Sequence, residues 1–199
     1  MSDKQVKVAV IYYSMTGTNS QMARWAQEAA EATGADVRLR KIEDNRTPNN
    51  PAWEAEVERS KAVENATSDD LIWADVLVFN FPTRFGGPAA EFKQFIDRQG
   101  GLWAQGQLID KVVTASTSAG NAHGCQEQAL MMLTTSMAHW GAIPVFPGYT
   151  DDSIFAAGGN PYGASVTVGD GSQPIPETIK AALVHQVKRA IKIGEKLHG

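Results

Sequence analysis

Apolar positions along the chain follow two alternating periods. Val6 to Tyr12 is an almost unbroken apolar run, the pattern of a strand covered on both faces. From Thr18 to Thr33 the spacing becomes helical and stops at Gly34, a residue suited to a helix end. Asp36 to Ile42 alternates Val37 and Leu39 with Arg38 and Arg40, which predicts a strand at a sheet edge. Asp44 to Ala66 is polar and holds Pro48 and Pro51; it predicts a loop with one short helix around Trp53 to Ser60. The charged run Glu54 to Glu64 reads as a solvated helix face. A short helix, Ser68 to Trp73, leads into a third strand, Val76 to Phe81. Pro88 suits the first turn of the next helix, which carries Phe92, Phe95 and Ile96 on one face. A fourth strand covers Lys111 to Ala115, and a helix over Gln126 to His139 groups Leu130, Leu133 and Met137. A short fifth strand is predicted at Ile143 to Phe146. Asp151 to Pro176 is rich in Gly and Pro and shows no period, whereas Glu177 to Leu197 stripes Ile179, Leu183, Val187 and Ala190 as a long helix does.

This alternation predicts an α/β fold, a doubly wound five-stranded parallel sheet in the order 2-1-3-4-5 with helices on both faces. The expected organisation is a single domain over 1–199 with a long loop insertion at about 149–176. A structureless loop of that length points to function or assembly.

In such a sheet, ligands bind beyond the carboxyl ends of the strands. Three loops fall there. The first is Ser14-Met15-Thr16-Gly17-Thr18-Asn19, placed where a strand runs into a helix N-terminus. Free amides, the positive end of the helix dipole, four hydroxyl or amide side chains and a glycine suit an anion. Simple helix capping is the plainer account of the same residues. The loop lacks the Gly-Lys-Ser/Thr of a Walker A motif. The second loop, Pro82-Thr83-Arg84-Phe85-Gly86-Gly87, offers amides, a cation and an aromatic ring. The third, Ser116 to Gly124, is built of small residues that admit close approach. An isoalloxazine needs an apolar face and amides for its polar edge, so the three loops together predict a flavin site.

At 199 residues the chain is long enough to bury a full core, and a net charge of -4 gives no basic footprint for nucleic acid. Its one cysteine, Cys125, excludes an intrachain disulfide and fits a reducing, cytoplasmic setting. No apolar run reaches the length of a leader or a membrane span. Cys125 has no resolving partner and reads as a small passive residue. The histidines are not spaced as metal ligands, and His185 reads as structural.

The segments YYSMTG, PTRFG, GGLWAQG, HGCQEQ, TTSMAHWG and GGNPYGA occur in this order between about residues 8 and 172. In these the chain resembles the WrbA-type NAD(P)H:quinone oxidoreductases, tetrameric FMN proteins on a flavodoxin-like fold. The resemblance implies FMN as cofactor, NADH or NADPH as co-substrate, a quinone substrate and a homotetramer. It implies two-electron reduction of the quinone to hydroquinone by hydride transfer through flavin N5, with the flavin carrying the chemistry and no covalent catalytic residue. Carried over residue by residue, Ser14, Met15, Thr16, Gly17, Thr18 and Asn19 match the FMN phosphate loop. Pro82, Thr83, Arg84, Phe85 and Gly86 match the loop around the pyrimidine side of the flavin. Ser118, Ala119, Gly120, Asn121, Ala122 and His123 match the loop beside the ring and ribityl chain. His139 matches a flavin-contacting histidine, Trp103 a tryptophan beside the substrate, and Tyr149 an aromatic wall. The family often has an aromatic residue at the position of Thr16, one tied to nicotinamide dinucleotide binding. Two readings of other classes share the first loop: a flavodoxin-type one-electron carrier, and a non-catalytic FMN-binding scaffold.

Overall fold

A computed structural model describes residues 5–169 and 174–199. The elements run β1 (Lys7–Tyr12), α1 (Thr18–Glu31), β2 (Asp36–Lys41), α2 (Pro51–Arg59), α3 (Ser68–Trp73), β3 (Val76–Arg84), β4 (Gly87–Pro88), α4 (Ala90–Asp97), α5 (Gly100–Ala104), β5 (Val112–Ala119), α6 (Gln126–Trp140), β6 (Ile143–Pro144), α7 (Asp152–Ala156), β7 (Ser165–Thr167) and α8 (Glu177–His198). The sheet order is β2-β1-β3-β5-β6, parallel throughout, as the alternation of periods predicts. One face carries α1 and α8, packed on Val8, Val10, Val76, Val78 and Val112. The other carries α3, α4 and α6, packed on Ala9, Ile11, Leu77, Phe79 and Phe81. Alternate residues of the central strands feed opposite cores, so their near-continuous apolar sequence is required by burial on both sides. The predicted stripes of α4, α6 and α8 are all buried.

The structure corrects several boundaries. β3 runs three residues beyond Phe81 and turns back as a hairpin, pairing Thr83 with Pro88 and Arg84 with Gly87. Pro88 therefore lies in β4, and the following helix begins at Ala90. β5 continues four residues beyond Ala115 to Ala119, with Ser116 to Ala119 buried. The polar alternation of β2 does mark an edge, where Arg38 and Arg40 both bond the Asp70 carboxylate at 3.2 and 3.0 Å.

The insertion is not structureless. It holds α7 and β7, and β7 pairs in parallel with the upper half of β5 while β6 pairs with the lower half. The fifth position of the sheet is thus one strand split in two, with the intervening chain looped out. Residues 170–173 of the predicted insertion lie outside the described residues. Gln186 of α8 fastens the split. Its side chain, 1% exposed, accepts the Ala164 N–H at 2.7 Å and donates to Thr114 Oγ1 at 2.8 Å and the Ala115 carbonyl at 2.7 Å. Gly163 has no room for a side chain, since a Cβ there would stand 2.2 Å from the Ala115 carbonyl oxygen. Gln186→Leu keeps the volume and strands three polar partners, each costing about 1–3 kcal/mol when left unsatisfied. We expect a loss of at least about 2 kcal/mol in urea unfolding, with an unchanged midpoint arguing against the pin.

Candidate cofactor site

The first loop, Ser14 to Asn19, curls tightly into the start of α1. Gly17 stands at the N-cap of α1 with φ +106°, a conformation that glycine alone adopts without strain. Its N–H donates to Ser14 Oγ at 3.1 Å, which curls the loop. The first intrahelical donor is Gln21 N–H to the Gly17 carbonyl, so the amides of Thr18, Asn19 and Ser20 are free of the helix ladder. Asn19 also links two of the loops. Its side chain is 2% exposed, turned inward, and donates to Ser118 Oγ at 2.8 Å. That bond ties the first loop to the third.

The second loop is a tight hairpin. Phe85 and Gly86 have φ +48° and +83°, the pairing expected of a two-residue turn between β3 and β4. The turn thrusts the Phe85 ring wholly into solvent and leaves Arg84 beside the first loop, its Nη2 4.0 Å from Met15 Sδ. In the third loop, Asn121 Oδ1 accepts the His123 N–H at 2.9 Å, and the chain turns so sharply at Gly124 that a Cβ there would lie 2.3 Å from the Ala119 Cβ. Cys125, exposed and with φ +58°, puts its Sγ against Gly86 of the hairpin. The three loops therefore touch pairwise, through Asn19–Ser118, Arg84–Met15 and Cys125–Gly86.

Between them lies a cavity of about 260 Å³ lined by Ser14, Met15, Thr16, Thr18, Asn19, Pro82, Arg84, Ser118, Ala119, Gly120, Val168 and Gly169. Its donor set fits FMN. Hydroxyls line one end, and among the described residues Arg84 is the one cation and no carboxylate lines the cavity, so a phosphate dianion would meet donors there. Val168 and Gly169 were invisible to sequence reasoning, because the strand that delivers them has no partner in its own neighbourhood of the chain.

The remaining predicted residues are placed elsewhere. Gly17, Thr83, Phe85, Gly86, Asn121, Ala122 and His123 belong to the same loops but are not among the residues lining the cavity. Trp103, His139 and Tyr149 are exposed and outside the cavity. His139 is thirteen residues beyond Gln126 on α6, about 20 Å down the helix from the site. Trp103 on α5 lies toward the amino end of β5: its carbonyl accepts the Gly106 N–H at 3.0 Å, and a Cβ on Gly106 would stand 3.3 Å from the side chain of Ile109, just before that strand begins. Tyr149 stacks on Phe155 at 5.0 Å between centroids.

Beneath the first loop, charge is tightly managed. Tyr12 is buried with its hydroxyl unpaired, and burial, reinforced by the Glu56 charge, pushes that phenol up to about 12. Burial and a 2.8 Å hydrogen bond to Asp44 raise Tyr13 as well. Burial of Asp44 acts to raise its carboxyl, but hydrogen bonds from Arg46 and Tyr13 outweigh it and hold the group below the ordinary value. Both phenols thus stay neutral near the anion site. Glu56 contradicts the reading of its segment as solvated: it is 2% exposed, and its carboxylate is held by Arg59 at 3.2 and 3.3 Å. Among the described residues no group of three or more His, Cys, Asp or Glu is arranged to hold a metal ion.

Comparison with known proteins identifies the family and the fold. The model of the NADPH-dependent FMN reductase family matches residues 6–153. An NAD(P)H dehydrogenase (quinone) of Deinococcus radiodurans is 46% identical over 98% of each chain. A protein of the same name from Geobacter sulfurreducens is 35% identical, covering 98% of this chain and all of its own. Among solved structures, a WrbA-like flavodoxin protein of Agrobacterium tumefaciens superposes with TM-score 0.67 at 20% identity, over 96% of this chain and 99% of that one. An archaeal flavodoxin superposes with TM-score 0.61 at 16% identity, over 94% and 99%. These two likenesses establish the flavodoxin-like fold. With the model match spanning most of the sequence and close relatives spanning nearly all of it, the chain belongs to the NADPH-dependent FMN reductase family and groups with the NAD(P)H dehydrogenases (quinone).

Proposed function

We propose that the protein is an FMN-dependent NAD(P)H:quinone oxidoreductase that reduces quinones by two electrons. The observation that carries this is the cavity where the loops after β1, β3 and β5 meet, lined by hydroxyls and Arg84 with no carboxylate among the described residues, in a chain whose relatives are named for that activity. When bound, FMN supplies the two-electron exchange between nicotinamide and quinone. The chain's residues do the rest. Ser14, Thr16, Thr18 and the free amides of α1 would hold the phosphate. Arg84, which lines the cavity, would place a positive charge beside the bound flavin and so favour its reduced, anionic form. Pro82 and Arg84 of the second loop line the cavity and would border the bound flavin.

The reading includes one flavodoxin-like domain over 1–199 and a cytoplasmic homotetramer. No helix among the described residues is long and apolar enough to cross a membrane. Trp103 and His139 sit at the end of the sheet opposite their own cavity, which suits them to wall the site of a neighbouring subunit. The exposed Phe85, Tyr149, Phe155 and Tyr162 suit a buried subunit contact.

Anaerobic titration of the FMN-loaded protein with NADH or NADPH tests the reading. Flavin absorbance should fall in a single two-electron step. A long-lived one-electron species at half-reduction, or no reduction by either nucleotide, would favour a flavodoxin-type carrier. A purified protein that neither retains nor binds FMN would leave only the scaffold reading.

A further inference from the structure

The outer face of the first loop carries a second concavity, distinct from the flavin cavity. It is a cleft of about 570 Å³ between α1, the end of α2 and the start of α8, and it shares Thr16 and Thr18 with the flavin cavity as a common wall. Arg24, Arg59 and Trp25 line it, while neither arginine lines the flavin cavity. A Cβ on Gly17 would lie 2.7 Å from Arg59 Nη2, so the guanidinium rests directly against the loop's glycine.

The Arg59 head is held in place rather than free to wander. Its Nε and Nη2 bond the Glu56 Oε2, and a carboxylate buried to this degree cannot release its counter-charge cheaply. The Arg59 side chain is still 59% exposed, and Nη1 has no partner among the described residues. Arg24 Nη2 approaches the Arg59 carbonyl at 3.5 Å, which brings a second guanidinium to the same place. Among the described residues Glu177 is the one acidic residue lining the cleft, and Lys180 stands 5.4 Å over the Trp25 ring at its margin. Taken together, two arginines and a lysine face Glu177 there, with Glu56 buried behind Arg59. Counted over the described residues the cleft is net positive, and arginine forks match phosphate oxygens in geometry as well as charge.

Two ligands of the reaction carry a phosphate monoester: FMN and NADPH. The flavin phosphate belongs to the other side of the loop. We propose that Arg59, positioned by Glu56, acts with Arg24 to take the 2′-phosphate of NADPH, and so sets a preference for NADPH over NADH. This rests on the oxidoreductase reading above.

The test compares NADPH and NADH in steady-state quinone reduction by the FMN-loaded wild type, Arg59→Gln, Arg59→Lys and Arg24→Gln. Calorimetric titration of the same proteins with 2′,5′-ADP and with 5′-AMP gives a readout independent of turnover. Wild type should favour NADPH by about tenfold or more in kcat/KM, the scale of a lost charge-assisted hydrogen bond. Arg59→Gln should erase that preference through KM for NADPH, leave NADH within about twofold, and abolish binding of 2′,5′-ADP. Arg59→Lys should restore part of it, and Arg24→Gln should reduce it. The proposal is overturned by a wild type without preference or by equal losses on both nucleotides. It is also overturned if Arg59→Gln weakens FMN binding while the nucleotide ratio stays put, which would assign Arg59 to the flavin phosphate. Failure of the FMN-loaded wild type to oxidise either nucleotide would instead remove the oxidoreductase reading, and this inference with it.

Discussion

Replacing Ser14, Thr16 and Thr18 together with alanine is expected to weaken FMN binding by about a thousandfold. Hydrogen bonds to a charged group contribute roughly 1.5–3 kcal/mol each, and three lost together exceed about 4 kcal/mol even with partial compensation by water. The Ser14 hydroxyl has a second task, since it accepts the Gly17 N–H and shapes the curl of the loop. The helix itself should survive, because these side chains do not cap it: α1 has no side-chain cap at Gly17. Fluorescence titration of the apoprotein with FMN and with riboflavin separates the effects. Riboflavin, lacking the phosphate, should bind the variant and the wild type alike. Unchanged FMN affinity in the triple variant would remove the phosphate assignment. Equal losses for both ligands would mean that the loop had collapsed.

The parts of the fold legible in the sequence are those whose signal is local. The helical stripe of α8 and the apolar runs of β1 and β3 declare their burial through spacing alone, and they are buried as read. The extension of β5 was hidden for a definite reason. Ser116, Thr117 and Ser118 have the composition of a loop, yet each hydroxyl is satisfied inside the core, by Asn80 Oδ1, by the Phe81 carbonyl and by the Asn19 amide. Those partners lie 36 to 99 residues away, beyond the reach of any pattern window. Glu56 was misread on the same logic. A carboxylate in a charged run looks solvated until Arg59 is seen to neutralise it in place. The split fifth strand escaped because β6 and β7 are two and three residues long and stand on either side of a twenty-residue excursion, 145–164.

The placement of Trp103 and His139 leads to the other large effect. If each site is walled by a neighbour, then two defective chains should repair one another. One parent carries the Ser14, Thr16 and Thr18 substitutions and lacks FMN, yet keeps its tryptophan and histidine. The other carries Trp103→Ala and His139→Ala and keeps its flavin. Each alone should reduce quinone poorly, the first for want of cofactor and the second for want of a wall. In oligomers mixed at random, a flavin-bearing chain meets an intact wall in about one site in four, so activity should return to about a quarter of wild type. Sites complete within one chain would give only the average of the two parents. Co-expression with two affinity tags, followed by tandem purification and assay, isolates the mixed species. Light scattering on the wild type fixes the number of chains. Recovery well above the parental average is the expected result. A monomeric wild type, or mixed oligomers no more active than that average, would show that Trp103 and His139 serve no neighbouring site. Their exposure at the far end of the sheet would then belong to the surface alone.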